Sequence, residues 1–227
     1  MIKLKSGILI ALEGIDGAGK TTQAYNLCAK LKELGFDAEY LHEPTKFTKF
    51  GKKIRDCIKE GTILSPEEEN KLFIEDRKLH VSKEIKPYLD EKKIVVLDRY
   101  FFANAAYQGA RSLSFQDILK ENRNFAPEPD IVFLLDITAK KAIERINNRK
   151  ALTNHYEKYE NLKQVRKKYL EIRETDTANI KLIDGSKEID SISSKLLEEV
   201  LNLIKKRNLS INAKQLDQTA KRIISPA

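Results

Sequence analysis

The stretch ALEGIDGAGKTTQ, residues 11–23, decides the fold. Gly14 to Thr21 fits the spacing G-x-x-x-x-G-K-[ST], and nothing else in the chain does. The spacing has a physical reason. Glycines let the backbone wrap and turn its N–H groups toward phosphate oxygens. Gly14, Ile15, Asp16, Gly17, Ala18 and Gly19 supply that wrap. Lys20 brings positive charge to β- and γ-phosphates, Thr21 offers a hydroxyl to Mg²⁺, and Thr22 completes the set expected at ATP. The same residues would also suit a plain glycine-rich turn, so the flanks matter. GILIALEGI (7–15) before the loop is a short apolar run with β-branched residues. After it, Ala24, Leu27, Cys28, Leu31 and Leu34 recur at helical spacing until Gly35 stops the helix. Strand, loop and helix in that order aim the helix's positive end at a bound anion. The loop is therefore expected to hold a nucleoside triphosphate as its magnesium complex. It does not reveal whether phosphate passes to water or to an acceptor, because GTPases, ATPases and small-molecule kinases share it.

Working outward, strand and helix signals alternate. DAEYLHE (37–43) reads as a second strand, cut by Pro44. KIVVLDRY (93–100) and DIVFLLDI (130–137) are near-continuous apolar runs, the pattern of strands buried on both faces of a parallel sheet. NIKLID (179–184) reads as a last short strand. Helices are expected around 51–60, 100–109, 115–124, 138–149, 157–175 and 187–205. A long helix should run from an N-cap at Ser65 to about Leu89, with a bend near Pro87. Such alternation implies a parallel sheet with helices on both faces, and ligands at the carboxyl ends of the strands. Glu43, Asp98 and Asp136 all fall at or just past such ends.

Composition narrows the class. The chain has 227 residues, enough for one compact domain, and a third of them are charged, which disfavours a disordered or membrane class. No run approaches the roughly 18 apolar residues needed to span a bilayer. The apolar start leads into Glu13 without a small-residue cleavage site, so it reads as a strand and not as a signal peptide. Cys28 and Cys57 lie far apart and suggest neither a metal site nor a disulfide, which fits a reduced cytoplasmic setting. His42, His80 and His155 are scattered as well. A net charge of +8 admits nucleic-acid binding. The charge is spread along the chain without interleaved aromatics, however, and better suits a lysine-rich surface around a site for anionic small molecules.

The blocks EGIDGAGKTTQ, EPT, LFIEDRKLH, DRYFFANAAYQG and PDIVFLLDI occur in the order and spacing of thymidylate kinases, over about residues 7–173. The chain resembles that family. The resemblance implies a three-layer α/β P-loop NTPase fold, with a five-stranded parallel sheet flanked by helices and a small lid. It implies ATP-dependent phosphorylation of dTMP to dTDP by a homodimer, with no nucleic-acid or membrane partner. One domain would cover 1–207 with the lid at about 147–160, and 208–227 would form a tail or extra helix. The alternatives are another nucleoside or nucleoside-monophosphate kinase, or a nucleotide-dependent switch or nucleic-acid-binding ATPase.

Residue types and resemblance together give the candidate site. Phe73 and Arg77 are four apart and share a helix face, where a ring can stack a base and a guanidinium can bond its edge. A core Phe beside an Arg–Asp ion pair is the competing reading of those two. The family uses the Arg on a thymine carbonyl. Asp98 can hold the waters of Mg²⁺ or cap the following helix, and Arg99 can clamp the acceptor's 5′-phosphate. Base contact for Asn104, rejection of a 2′-hydroxyl by Tyr107 and support from Gln108 are implied by the resemblance, as is a role for Asp16 facing the acceptor sugar and organising magnesium. Glu13 is read as a brace for the loop. Where the family often has Arg before Glu-Pro, this chain has His42, with Lys46 four residues on. The Glu43–Pro44 bond is expected to be cis. Thymidylate kinases place a catalytic arginine either in the phosphate loop or in the lid. With Gly17 in the loop position, the lid should carry it, and Arg149 is the candidate, with Arg145 and Lys150 near and His155 where many relatives have Arg.

Overall fold

The computed structural model describes residues 2–148 and 155–207, apart from the side chains of 155–157. Its centre is a five-stranded sheet of β1 (Ile8–Glu13), β2 (Ala38–His42), β3 (Ile94–Asp98), β4 (Ile131–Asp136) and β5 (Ile180–Asp184). The spatial order is β2-β3-β1-β4-β5, and every pairing is parallel. β1 and β3 are buried along their whole length, which is why their sequences run apolar without alternation. At the edge, β5 exposes Lys181 and Leu182.

Register lines up the strand ends. Leu12 pairs with Asp98, His42 with Asp98, Glu13 with Leu134, and Asp136 with Asp184. The polar residues that close the apolar runs therefore collect along one edge of the sheet. The chain leaves β1 toward β2 in one direction, and leaves β2, β3 and β4 in the other. Right-handed crossovers then put α1 (Lys20–Glu33) on one face, where α9 (Ile189–Lys206) packs against it. The other face carries α2 (Lys49–Glu60), α3 (Pro66–His80), α4 (Lys86–Asp90), α5 (Phe101–Gly109), α6 (Phe115–Arg123), α7 (Ala139–Asn147) and α8 (His155–Thr175). The direction reverses between β1 and β3, and the crevice beyond their carboxyl ends is where such folds bind ligands.

The expected long helix from Ser65 forms, opened by a reciprocal capping box between Ser65 and Glu68. Its irregularity lies earlier than the expected bend at Pro87. A widened turn spans Val81–Ile85, and Lys86 N–H bonds the Val81 carbonyl five residues back. Pro87 has no N–H to offer Lys83, and widening the preceding turn lets the helix run on to Asp90. The Glu43–Pro44 bond is cis. Among the described residues, no helix is long and apolar enough to cross a membrane.

Candidate active site

The phosphate loop is built as its sequence requires. Gly14 and Gly17 have φ of +136° and +82°. A Cβ on Gly17 would meet the Ala142 carbonyl oxygen of α7 at 2.7 Å, so the loop and α7 touch backbone to backbone. The first turn of α1 holds no acidic residue, and its cap, Gly19, makes no side-chain bond. The orphan N–H groups of that turn are thus left for an anion. Ile15 is buried in the core and offers its backbone. Lys20 is buried and donates to the Ile15 carbonyl at 2.8 Å. Burial and the nearby Arg99 charge pull its pKa down to about 8, against the attraction of Asp16, Asp98 and Glu13.

Beside the loop, the Thr21 hydroxyl donates to Asp98 Oδ2, and the Tyr40 hydroxyl approaches the same oxygen at 3.4 Å. The other oxygen, Oδ1, is buried without a hydrogen-bond partner. The alternative role of Asp98 as a helix cap is not what forms. The N-cap of α5 is Tyr100, and its side chain makes no cap bond. Glu13 does that work from β1, accepting N–H groups of Tyr100 at 2.8 Å and Ala103 at 3.3 Å through Oε1, and the Tyr169 hydroxyl at 2.9 Å through Oε2. Glu13 therefore braces the β3–α5 corner. Burial raises its pKa to about 7, despite those donors and the Arg99 charge.

Arg99 has φ of +70°, a left-handed conformation that costs a non-glycine residue on the order of 1–3 kcal/mol. Its N–H bonds the Leu12 carbonyl at 3.0 Å, and its Nη2 pairs with Asp16. The Asp16 side chain is 45% exposed, facing the crevice. Partial desolvation among the protein groups of the crevice would raise its pKa, but the charges of Arg99 and Lys20 outweigh this and hold it low. The acid that looks misplaced in a phosphate loop is thus paired. Tyr107 ties the two together, accepting the Asp16 N–H at 3.2 Å and lying under the Arg99 guanidinium at 5.1 Å.

Three cavities form a row. The first, about 280 Å³, is lined by Gly17, Ala18, Gly19, Thr22, Arg145 and Lys187 among others. A second of about 290 Å³ includes Lys20, Thr21, His42, Asp98 and Arg99. It shares Gly17, Gly19 and Thr22 with the first, and Asp16, Glu43 and Arg99 with a third of about 360 Å³. Phe73, Arg77, Asn104, Tyr107 and Gln108 line the third. His42 is half-buried, with its pKa lowered by burial and by Lys46, whereas Lys46 itself is exposed and lines none of the three.

Arg77 is buried and pairs not with Asp76 but with Glu43, at 2.8 Å from Nε and 2.6 Å from Nη2. Its Nη1 donates to Asn122 at 2.6 Å and to Asn104 at 3.3 Å. Glu43 Oε1 meets His80, and against the cost of burial the Arg77 charge, with His80, holds the Glu43 carboxyl below its usual range. Asn104 spends both amide hydrogens on Asn70 (3.0 Å) and Gln108 (2.8 Å), so donation to a base requires one of these to yield.

The row thus brings together Asp16, Lys20, Thr21, Asp98, Arg99, Phe73, Arg77, Asn104, Tyr107 and Gln108. Arg149, Lys150 and the His155 side chain lie outside the described residues. Arg145 approaches the Gly17 carbonyl at 3.4 Å. Sequence reasoning placed Glu43 at a strand end without a partner and passed over Asn70 and a site role for His80, although Asn70, Phe73, Arg77, His80 and Glu84 share one helical face. Tyr169 and Asn122 had no such signal, since they come from helices far along the chain.

The family profile described as Thymidylate kinase matches residues 12–196. A probable thymidylate kinase of Archaeoglobus fulgidus is 42% identical over 204 residues, covering 88% of this chain and 100% of that protein. One from Thermococcus kodakarensis is 39% identical over 205 residues, covering 87% and 98%. A thymidylate kinase of Xylella fastidiosa is 36% identical over 214 residues, covering 94% and 96%. With the parallel sheet, the phosphate loop and the adjoining cavities on the same chain, these matches establish that it belongs to the thymidylate kinase family.

Proposed function

We infer that the chain transfers the γ-phosphoryl group of ATP to the 5′-phosphate of dTMP, giving dTDP and ADP. The observation that carries this is the row of cavities. A donor nucleotide in the first would lay its phosphates through the second, and an acceptor in the third would meet them at Arg99 and Asp16. The protein then has little covalent work to do. It must align two anions and offset their repulsion. Lys20 serves the donor phosphates and Arg99 the acceptor phosphate, and Arg149 is the lid candidate. The acceptor is already ionised, so no general base is required. Phe73 would stack the base and Arg77 would bond a ring carbonyl, a reading supported by their both lining the third cavity.

The residues at the phosphate cavity fit Mg²⁺, because Asp98 Oδ1 is a buried carboxylate oxygen without a partner beside the Thr21 hydroxyl. Asp98 and Thr21 would hold the ion, which when bound neutralises phosphate charge. The family resemblance further supports a cytoplasmic homodimer with a single catalytic domain over 1–207, a lid at about 147–160 and a tail beyond.

The test is ADP release from ATP with dTMP, dUMP, UMP, CMP, dCMP, AMP, GMP and thymidine as acceptors. Preferred turnover of dTMP is expected. ATP binding without acceptor-dependent turnover would overturn the assignment.

A further inference from the structure

Asn122 stands in the last turn of α6, a helix that contributes nothing to the lining of the acceptor cavity. It is 0% exposed. Its Nδ2 donates to the Ile118 carbonyl at 2.8 Å, and its Oδ1 accepts from Arg77 Nη1 at 2.6 Å. These partners fix the amide's orientation. A carbonyl only accepts and a guanidinium only donates, so the flipped amide would set like against like on both sides.

The donors of Arg77 can be counted. A guanidinium has five N–H groups. Nε and one hydrogen of Nη2 go to the same oxygen of Glu43. Both Nη1 hydrogens go to Asn122 and Asn104, the latter through the longer contact. One hydrogen on Nη2 remains for a ligand in the cavity that Arg77 lines. Two bonds converging on one oxygen form a pivot about which the guanidinium can rock. The Asn122 bond at the far nitrogen removes that freedom, and the Tyr100 ring, 5.6 Å from the guanidinium carbon, limits tilting. Asn122 does so without charge. Glu43 already balances Arg77, and a second carboxylate would compete with a neutral ligand carbonyl for the remaining donor.

We propose that Asn122 is a positioning residue for acceptor-base discrimination. By fixing Arg77 it offers one N–H where a ring carbonyl can accept it, and presents a donor against a donor where the ring carries an exocyclic amine. A site committed to one hydrogen-bond pattern rejects the mismatched one strongly, provided its groups cannot turn away. The proposal rests on dTMP occupying the third cavity.

The test compares wild type with Asn122→Leu, of similar volume but unable to accept from Arg77. The readouts are kcat and KM for dTMP and for dCMP, KM for ATP, and Tm. Asn122→Leu is expected to raise the dTMP KM at least about tenfold, leave kcat within about threefold, and shrink the dTMP:dCMP ratio of kcat/KM at least about tenfold, with ATP KM unchanged. A folded variant that keeps the wild-type ratio overturns the proposal, as does a parallel rise in both KM values with that ratio intact. If Asn122→Leu does not fold, Asn122→Ser, too short to reach Arg77, carries the same expectations. Wild-type enzyme without dTMP-dependent turnover would overturn the proposed function and this inference with it, whereas a selective wild type with an equally selective variant overturns only the latter.

Discussion

Arg99 holds its guanidinium on Asp16 and its backbone in a left-handed turn, and the two facts belong together. Asp16 holds the guanidinium of this left-handed residue beside the phosphate loop. On the proposed function, an acceptor phosphate would offer Arg99 a second anionic partner beside the first. Replacing Arg99 with Ala should cut kcat by at least about tenfold, some 1.4 kcal/mol of transition-state stabilisation, with the fold intact. Steady-state kinetics and circular dichroism check this. Unimpaired turnover would remove Arg99 from the phosphoryl-transfer machinery. The sequence displayed Arg99 in the DRY block, but it could not display the pairing, because Asp16 lies 83 residues away. Glu13 is the sharper case. Its type and its place at a strand end suggested a brace for the adjacent loop, and only the tertiary structure shows that it caps α5 and receives Tyr169 of α8.

Elements are tied together by buried polar side chains at their ends. Asp76 of α3 accepts the Thr45 N–H at 2.8 Å, the Thr45 hydroxyl at 2.6 Å and the Thr48 hydroxyl. Thr48 in turn caps α2 by accepting the Gly51 N–H at 2.8 Å. One carboxylate thus pins the loop after β2, the start of α2 and the middle of α3. Asp76→Ala strands three donors, two of them on buried hydroxyls that can turn elsewhere, and should cost on the order of 3 kcal/mol. Urea denaturation measures it, and a loss under about 1 kcal/mol would mean that the loop finds other partners. This arrangement was half visible in sequence. The strands and amphipathic helices announced themselves through apolar runs and helical spacing. The widened turn at Val81–Ile85 did not, because it answers Pro87 from a position before it, and local propensity does not say on which side of a proline the helix will give.

At the scale of the whole molecule, the third cavity is backed by a charged chain running inward from the surface through Glu84, His80, Glu43 and Arg77. Burial opposes a charged His80, yet its bonds with Glu43 and Glu84 push its pKa up to about 9, from the ordinary 6.5. The folded state therefore binds this proton more tightly than the unfolded chain. The contribution to stability is fully present below pH 6.5 and is lost as pH rises through about 9. Lys20 and Glu13 titrate too, so the informative quantity is the stability of wild type minus that of His80→Gln. That difference should fall between pH 6.5 and 9 and then level; a flat difference would show that His80 is not protonated in the folded protein. A parallel sheet with helices on both faces was legible from the alternation of strands and helices, but the strand order and the connection of three cavities were not, since they depend on the pairing and register that bring Glu13, His42 and Asp98 to one edge.

Gly17 gives the molecule a history as well as a shape. Its missing side chain is not an empty allowance, because α7 already occupies the space where a Cβ would stand, 2.7 Å from a carbonyl oxygen. An arginine at this position would have to displace α7. The two placements of the catalytic cation found among thymidylate kinases are therefore not one substitution apart in this scaffold. A lineage could pass between them only by first moving a helix away from the loop, and each intermediate would have to remain an enzyme while doing so.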